Sequence, residues 1–245
     1  MEDLSLDERL KLCGRQVMMS NHTITFVQQQ ATEQNKQFLL EVFNEELRFR
    51  WENKRRRLKK KASFPVVKSF EGYEWTNVAI PPGITKDQIV NCDFVRESKN
   101  LVLFGPVGTG KTHMSIAIGM NACEMGMSVR YFTTTELVLK LSKAKEDGTI
   151  EKLIKELKGY DILLLDEFGY VPVDRDGARL LFQVIANAYE TQSLVITTNV
   201  DFSRWGAVLT DDQLAAAIID RVAHHGVLLL FDGESYRLKH ALMRK

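Results

Sequence analysis

Residues 101–112 read LVLFGPVGTGKT. The four apolar residues Leu101, Val102, Leu103 and Phe104 suit a short buried strand. Gly105, Gly108, Gly110, Lys111 and Thr112 then satisfy G-x-x-x-x-G-K-[ST], the phosphate-binding loop. Glycines let successive backbone N–H groups turn inward toward phosphate oxygens. Lys111 can lay its charge along the β- and γ-phosphates, and the Thr112 hydroxyl can ligate Mg²⁺. A helix from about Lys111 to Met125 would present its positive dipole end to the same anion. Gly105, Pro106, Val107, Gly108, Thr109, Gly110, Lys111, Thr112 and His113 are therefore the candidate nucleotide contacts, with His113 packing under the loop.

Working outward, the pattern downstream of Leu101 alternates between strand and helix. Strands are predicted at 101–104, 128–132, 162–165, 194–198 and 227–231, the rhythm of a doubly wound, mainly parallel five-stranded α/β sheet. The strand Ile162–Leu165 runs into Asp166 and Glu167. Ligands gather at the carboxyl ends of parallel strands, so Asp166 should reach the phosphate-loop edge and hold Mg²⁺. The adjacent Glu167 is placed to activate an attacking water. Asn199, after Thr197-Thr198, either caps its strand or reaches the γ-phosphate. His224 and His225 have no cysteine or carboxylate pair at ligand spacing and read as the end of a helix. Trp75 and Trp205 read as packing residues. Trp51, in the basic run described next, packs or touches nucleic acid.

Upstream, the chain is organised differently. Ser5 with Glu8 forms a capping box opening a short helix that carries Leu6 and Leu10. A second helix is predicted from about Thr32 to Lys60, with Leu40, Phe43, Leu47, Trp51 and Leu58 on one face. Its second half is basic: Arg48, Arg50, Lys54, Arg55, Arg56, Arg57, Lys59, Lys60 and Lys61 stand against Glu52 alone, a net +8. The preceding 47 residues carry a net −4, four basic against eight acidic. A solvated helix face is the plain reading of such a run. Nine like charges in fourteen residues repel one another, however, and a polyanion, most naturally a nucleic-acid backbone, explains that cost better. Nothing in the run resembles a base-reading module. The domain reading is 1–61 helical and basic, 62–98 a connector with Pro65 and Pro81-Pro82-Gly83, and 99–245 the nucleotide-binding domain.

Composition bounds the rest. The 245 residues are 44% hydrophobic and 27% charged, with 33 basic and 32 acidic side chains, an ordinary globular balance. Cys13, Cys92 and Cys123 are far apart and read as free thiols of a reducing compartment. No apolar run reaches the length of a membrane span, and the acidic start is no signal peptide, so the expectation is a cytoplasmic protein with no membrane partner.

GPVGTGKTH, LLLDEFG, ITTN and the tail IIDRVAHHG…GESYRLK, with the basic NEELRFRWENKRRRLKKK, resemble the IstB/DnaC group of AAA+ ATPases; the basic segment and the tail resemble IstB in particular. The resemblance implies a P-loop AAA+ fold, with Lys111 and Thr112 binding phosphate and Mg²⁺, Asp166 serving Mg²⁺, Glu167 as catalytic base and Asn199 as sensor. It implies that Arg221 is an arginine finger reaching a neighbouring subunit's γ-phosphate, where Arg204 is a rival and an ion pair of Arg221 with Asp220 or Asp212 the plain alternative. Arg237 matches a basic position that senses nucleotide. About fourteen residues follow the last strand, too few for a conventional helical lid. The implied activity is ATP hydrolysis by an ATP-dependent homo-oligomer on duplex DNA, with an insertion-sequence transposase as partner. A helicase loader is the alternative, and a small-molecule phosphotransferase is disfavoured because no acceptor-binding insertion is evident.

Overall fold

The computed structural model of the chain describes residues 4–239. They divide into two compact units, with the boundary between Arg57 and Leu58.

The first unit begins with α1 (Leu6–Gln16), opened by the Ser5/Glu8 capping box. Then comes α2 (Asn21–Gln30), whose first turn is capped by Ser20, and α3 (Glu33–Ala62), which crosses the unit boundary. Leu10, Cys13 and Leu40 are buried together, with Leu6, Val27, Phe43 and Leu47 around them. The sequence reading missed α2, because Thr23, Ile24 and Thr25 are β-branched and lower its helix propensity. The expected stripe on α3 divides: Leu40, Phe43 and Leu47 pack in this unit, Trp51 is 42% exposed, and Leu58 packs in the second unit.

The second unit is built on a sheet of six strands, not five. In chain order they are β1 (Val78–Ala79), β2 (Asn100–Phe104), β3 (Val129–Thr133), β4 (Ile162–Phe168), β5 (Ser193–Thr198) and β6 (Gly226–Phe231). Their spatial order is β1-β6-β2-β5-β4-β3. The five predicted strands form the parallel core, and β1 adds an antiparallel edge against β6. Two residues of the connector are too short a run to announce a strand. The connector also contains α4 (Lys86–Val90), with a Thr85/Gln88 capping box, and a 3₁₀ turn at Asp93–Glu97. It belongs to the same compact unit as the sheet.

Side chains alternate across each strand, so a sheet buried on both faces needs apolar residues at nearly every position. Val102, Leu163, Leu165, Leu194 and Ile196 enter one layer. There they meet α6 (Thr134–Glu146), α7 (Ile150–Lys158), α8 (Arg175–Ala188), α9 (Trp205–Leu209) and α10 (Asp212–His224) through Leu137, Leu153, Leu181, Trp205 and Ile218. Leu101, Leu103, Ile162, Leu164 and Val195 enter the opposite layer, against Met114 and Ile118 of α5 (Lys111–Glu124) and Ile89 of α4. Helices on both faces make the sheet doubly wound, as expected. After β6 the described residues hold one turn of helix, α11 (Tyr236–Lys239). All three cysteines are free and buried. No helix among the described residues is long and apolar enough to cross a membrane.

Candidate active site

β2 lies inside the parallel core, between β6 and β5, so the loop that follows it opens beside the ends of both neighbours. Gly108 and Gly110 have φ of +84° and +99°, and Gly110 is the N-cap of α5. A side chain at Gly108 would run into Ser235, because the segment after β6 folds back here: the Tyr236 N–H donates to the Gly108 carbonyl at 3.0 Å. At Gly110 the neighbour is Tyr73 of the connector, which also lies 5.1 Å, ring to ring, from His113. His113 bonds through Nε2 to the Ser69 carbonyl at 2.8 Å. The connector and the tail thus flank the loop on either side.

Lys111 is buried and donates from Nζ to the carbonyls of Gly105 and Pro106, at 2.8 and 2.6 Å. Burial pulls its ammonium down from an ordinary 10.5 to about 8; the Asp166 carboxylate opposes this and the Arg237 cation adds to it. Arg237, in α11, is therefore in electrostatic reach of the phosphate loop. Thr109 Oγ1 donates to the Pro106 carbonyl at 2.8 Å, tightening the turn.

Asp166 is 2% exposed and its two carboxylate oxygens are held by three hydroxyls. Thr112 and Thr197 donate to Oδ1 at 3.0 and 2.5 Å, and Tyr131 donates to Oδ2 at 2.8 Å. Burial, with the Asp166 charge second, pushes the Tyr131 phenol upward and keeps it protonated as a donor. Thr134 secures the Asp166 backbone carbonyl at 3.0 Å. Four elements, α5, β3, β5 and α6, therefore converge on one acidic residue.

Glu167 is exposed and sits at a break in the ladder. Leu165 pairs with Ile196 and Phe168 with Thr198, so β4 has one more residue than β5 across the interval. Glu167 takes φ +58°, a left-handed conformation that costs a non-glycine residue about 1–2 kcal/mol. Its N–H donates to Thr197 Oγ1 at 3.0 Å, and the same hydroxyl donates to Asp166. One threonine thus fixes both acidic residues. Behind the bulge, Phe168 is buried against Trp205, with centroids 4.2 Å apart.

The remaining predicted residues lie as follows. Asn199 is exposed, just past the carboxyl end of β5, and Arg204 is exposed in the 3₁₀ turn that follows. Arg221 is in the last turn of α10, which leads into the amino end of β6. Its guanidinium donates to the Ala217 carbonyl at 2.8 Å and lies 5.0 Å over the Phe182 ring. Since β6 and β2 are parallel, Arg221 sits at the opposite end of the sheet from its own phosphate loop. Its contacts are with Ala217 and Phe182, where the plain alternative expected Asp220 or Asp212.

Along α3 the basic residues differ. Arg48 bonds to Glu45 at 2.6 Å and Glu52 at 3.1 Å, and Arg50 to Glu46 at 2.6 Å. Lys54 lies over the Trp51 ring. Lys59 pairs with Glu124, and Lys61 lies over Tyr160 while its carbonyl accepts from Arg130. Arg56, Arg57 and Lys60 are exposed and form no ion pair among the described residues.

The profile of the IstB-like ATP-binding protein family matches residues 8–243. The chain belongs to the IstB-like ATP-binding family. It is 35% identical over 226 residues to the ATP-binding protein of insertion sequence IS21 from Pseudomonas aeruginosa, covering 90% of this chain and 84% of that one. It is also 35% identical over 204 residues to the IS232 ATP-binding protein of Bacillus thuringiensis subsp. berliner, covering 82% and 80%. Among solved structures, the DnaC helicase loader matches with a TM-score of 0.53 at 22% identity, over 67% of this chain and 96% of that one. DnaI matches with 0.54 at 20% identity, over 69% and 90%. These likenesses are of fold, the AAA+ P-loop domain. ATP is the ligand that membership of this family gives the chain.

Sequence reading missed Tyr131, Thr197, Tyr73 and Ser235 in this IstB-like protein. Thr197 had a signal, lying two residues before Asn199 in the ITTN run. The other three come from distant segments and carry no local mark.

Proposed function

We propose that this protein hydrolyses ATP and acts as the DNA-binding helper of an insertion-sequence transposase. The carrying observation is the Thr112–Asp166–Thr197 cluster beside the phosphate loop, with Arg221 at the far end of the sheet. Lys111 exchanges its bonds to the loop carbonyls for β- and γ-phosphate oxygens. Thr112 and Asp166 would hold Mg²⁺, which when bound offsets the phosphate charge. Glu167 accepts a proton from a water whose oxygen attacks the γ-phosphorus as the β–γ bridging bond breaks. Asn199 orients that water, and Arg237 answers the γ-phosphate from α11.

Arg221 cannot serve its own nucleotide from the opposite end of the sheet, so its role as a finger requires a second copy. ATP then joins subunits, and joined subunits align their α3 helices on duplex DNA. Repeating a weak, salt-sensitive contact over linked copies gives tight binding without base readout. Hydrolysis dissolves the array, and the transposase responds to the ATP-bound form. The names of the insertion-sequence relatives support this reading over a helicase loader, for which likeness of fold is the only argument. Electron microscopy of the protein with duplex DNA and a non-hydrolysable ATP analogue tests it. Multi-subunit particles on DNA are expected with the analogue and not with ADP; single molecules in both would overturn it.

A further inference from the structure

At the end of the sheet away from the phosphate loop, two turns meet. One follows α8 and carries Tyr189 and Glu190; the other joins α10 to β6 and carries His224 and His225. One ligand atom from each of Glu190, His224 and His225 lies within 4.8 Å of the other two. The separation in sequence, thirty-odd residues, hid the carboxylate from a reading that looked for it beside the histidines.

We propose that Glu190, His224 and His225 bind a late first-row divalent metal ion, with zinc as its representative. Two imidazoles and one carboxylate form a borderline donor set that suits zinc, copper, nickel or cobalt, and not calcium or magnesium, which take oxygen ligands. His225 Nε2 and Glu190 Oε1 are 3.2 Å apart. Two ligands held about 2.1 Å from a tetrahedral ion stand roughly 3.4 Å apart, so this edge already has the required span. The Tyr189 hydroxyl lies 2.8 Å from His224 Nδ1. With Nδ1 engaged by this hydroxyl, His224 would ligate through Nε2, a hydrogen bond to the second ring nitrogen being what orients a ligating imidazole. Three protein ligands leave the fourth position to water, and the partial exposure of His225 and Glu190 gives the ion an entry path.

The scaffold beneath is rigid. The Asn100 N–H donates to the His225 carbonyl at 2.7 Å, its side-chain amide donates to the Val222 carbonyl, and its side-chain oxygen accepts from Leu194 N–H. These bonds tie the start of β2 to β5, to the end of α10 and to the residue that precedes β6. A bound ion would staple the α8 turn to the end of α10, one helical turn from Arg221. The site itself does not depend on the role given to Arg221.

The test is titration of tag-free full-length protein with Co²⁺, without nucleotide, followed by Zn²⁺ competition. Visible ligand-field absorption should saturate at one equivalent and be displaced by Zn²⁺. His224→Ala and Glu190→Gln should each weaken Co²⁺ binding by about tenfold or more, and Tyr189→Phe by less. Nucleotide binding by each variant verifies its fold; Glu190→Gln, nearly isosteric and exposed, keeps the test intact if His224→Ala unfolds. Absence of saturable absorption, or unchanged affinity in Glu190→Gln, would overturn the proposal.

Discussion

The phosphate-loop edge of the sheet and the basic half of α3 both concentrate charge, but they hold it in opposite ways. Asp166 is buried, and each of its oxygens is fixed by hydroxyls from other elements. The α3 cations are mostly exposed, and those with partners draw them from two separate sources. Arg48 and Arg50 are compensated by acids one turn away, whereas Lys59 and Lys61, already within the second unit, contact Glu124 and Tyr160 there. Removing a group from the first region changes chemistry that no neighbour can replace. Neutralising one residue of the second changes a sum. Arg56, Arg57 and Lys60 contribute most to that sum because no ion pair among the described residues offsets them.

The contrast can be broken most sharply at Glu167. Glu167→Gln should lower the rate of ATP hydrolysis by about 10²–10⁴ with little change in nucleotide affinity, as removal of a general base does. Steady-state turnover with a separate binding titration checks both halves; near-normal turnover would return Glu167 to the surface residues.

Next comes Lys111→Ala, which should cost nucleotide affinity about a hundredfold, roughly 3 kcal/mol for lost charge-assisted bonds. The wild-type residue gives a pH signature. Its ammonium sits near 8 rather than 10.5, and phosphate restores the charge, so binding takes up a proton in that interval. Affinity should fall as pH rises above about 8, by at most about tenfold per unit. Calorimetry in buffers of different ionisation enthalpy would register the proton; Lys111→Ala should lose the effect.

Thr197→Val is milder and more discriminating. It leaves the Glu167 N–H without its partner and Asp166 Oδ1 with Thr112 alone, and should cost about 1–3 kcal/mol of stability, read from denaturant midpoints. Turnover should fall further than affinity, because the bulge that presents Glu167 loosens.

The smallest effects belong to α3. Replacing Arg56, Arg57 and Lys60 with alanine should reduce the slope of log affinity against log salt by about 2–3 on duplex DNA, whatever the sequence. Replacing Arg48 and Arg50 should change it less, since their guanidinium groups are already engaged by Glu45, Glu46 and Glu52 and are less free to replace counterions on phosphate. Equal slopes for the two variants would erase the distinction within the run.

What could be read in advance follows the same division. The phosphate loop, Asp166 and Glu167 are contiguous motifs whose chemistry is written in adjacent residues, and five strands announced themselves as apolar runs. The hydroxyls around Asp166 come from Tyr131, Thr112 and Thr197, three elements brought together only by the strand order. β1 is two residues long, and α2 carries the β-branched run Thr23-Ile24-Thr25, so neither had a periodic signal. The +8 of the basic run is correct as a count. Its partial cancellation was not visible in the window, because Glu45 and Glu46 lie just outside it. Glu190 met His224 and His225 through a turn that no spacing rule reaches.

The central claim is that a nucleotide held by one subunit is completed by Arg221 of another. Mixing two inactive variants tests it directly: Lys111→Ala supplies Arg221 but no phosphate site, and Arg221→Ala supplies the site but no arginine. Random association of equal amounts should restore about a quarter of wild-type ATPase sites. Full activity of Arg221→Ala alone, or an inert mixture of variants that still co-assemble, would contradict the account.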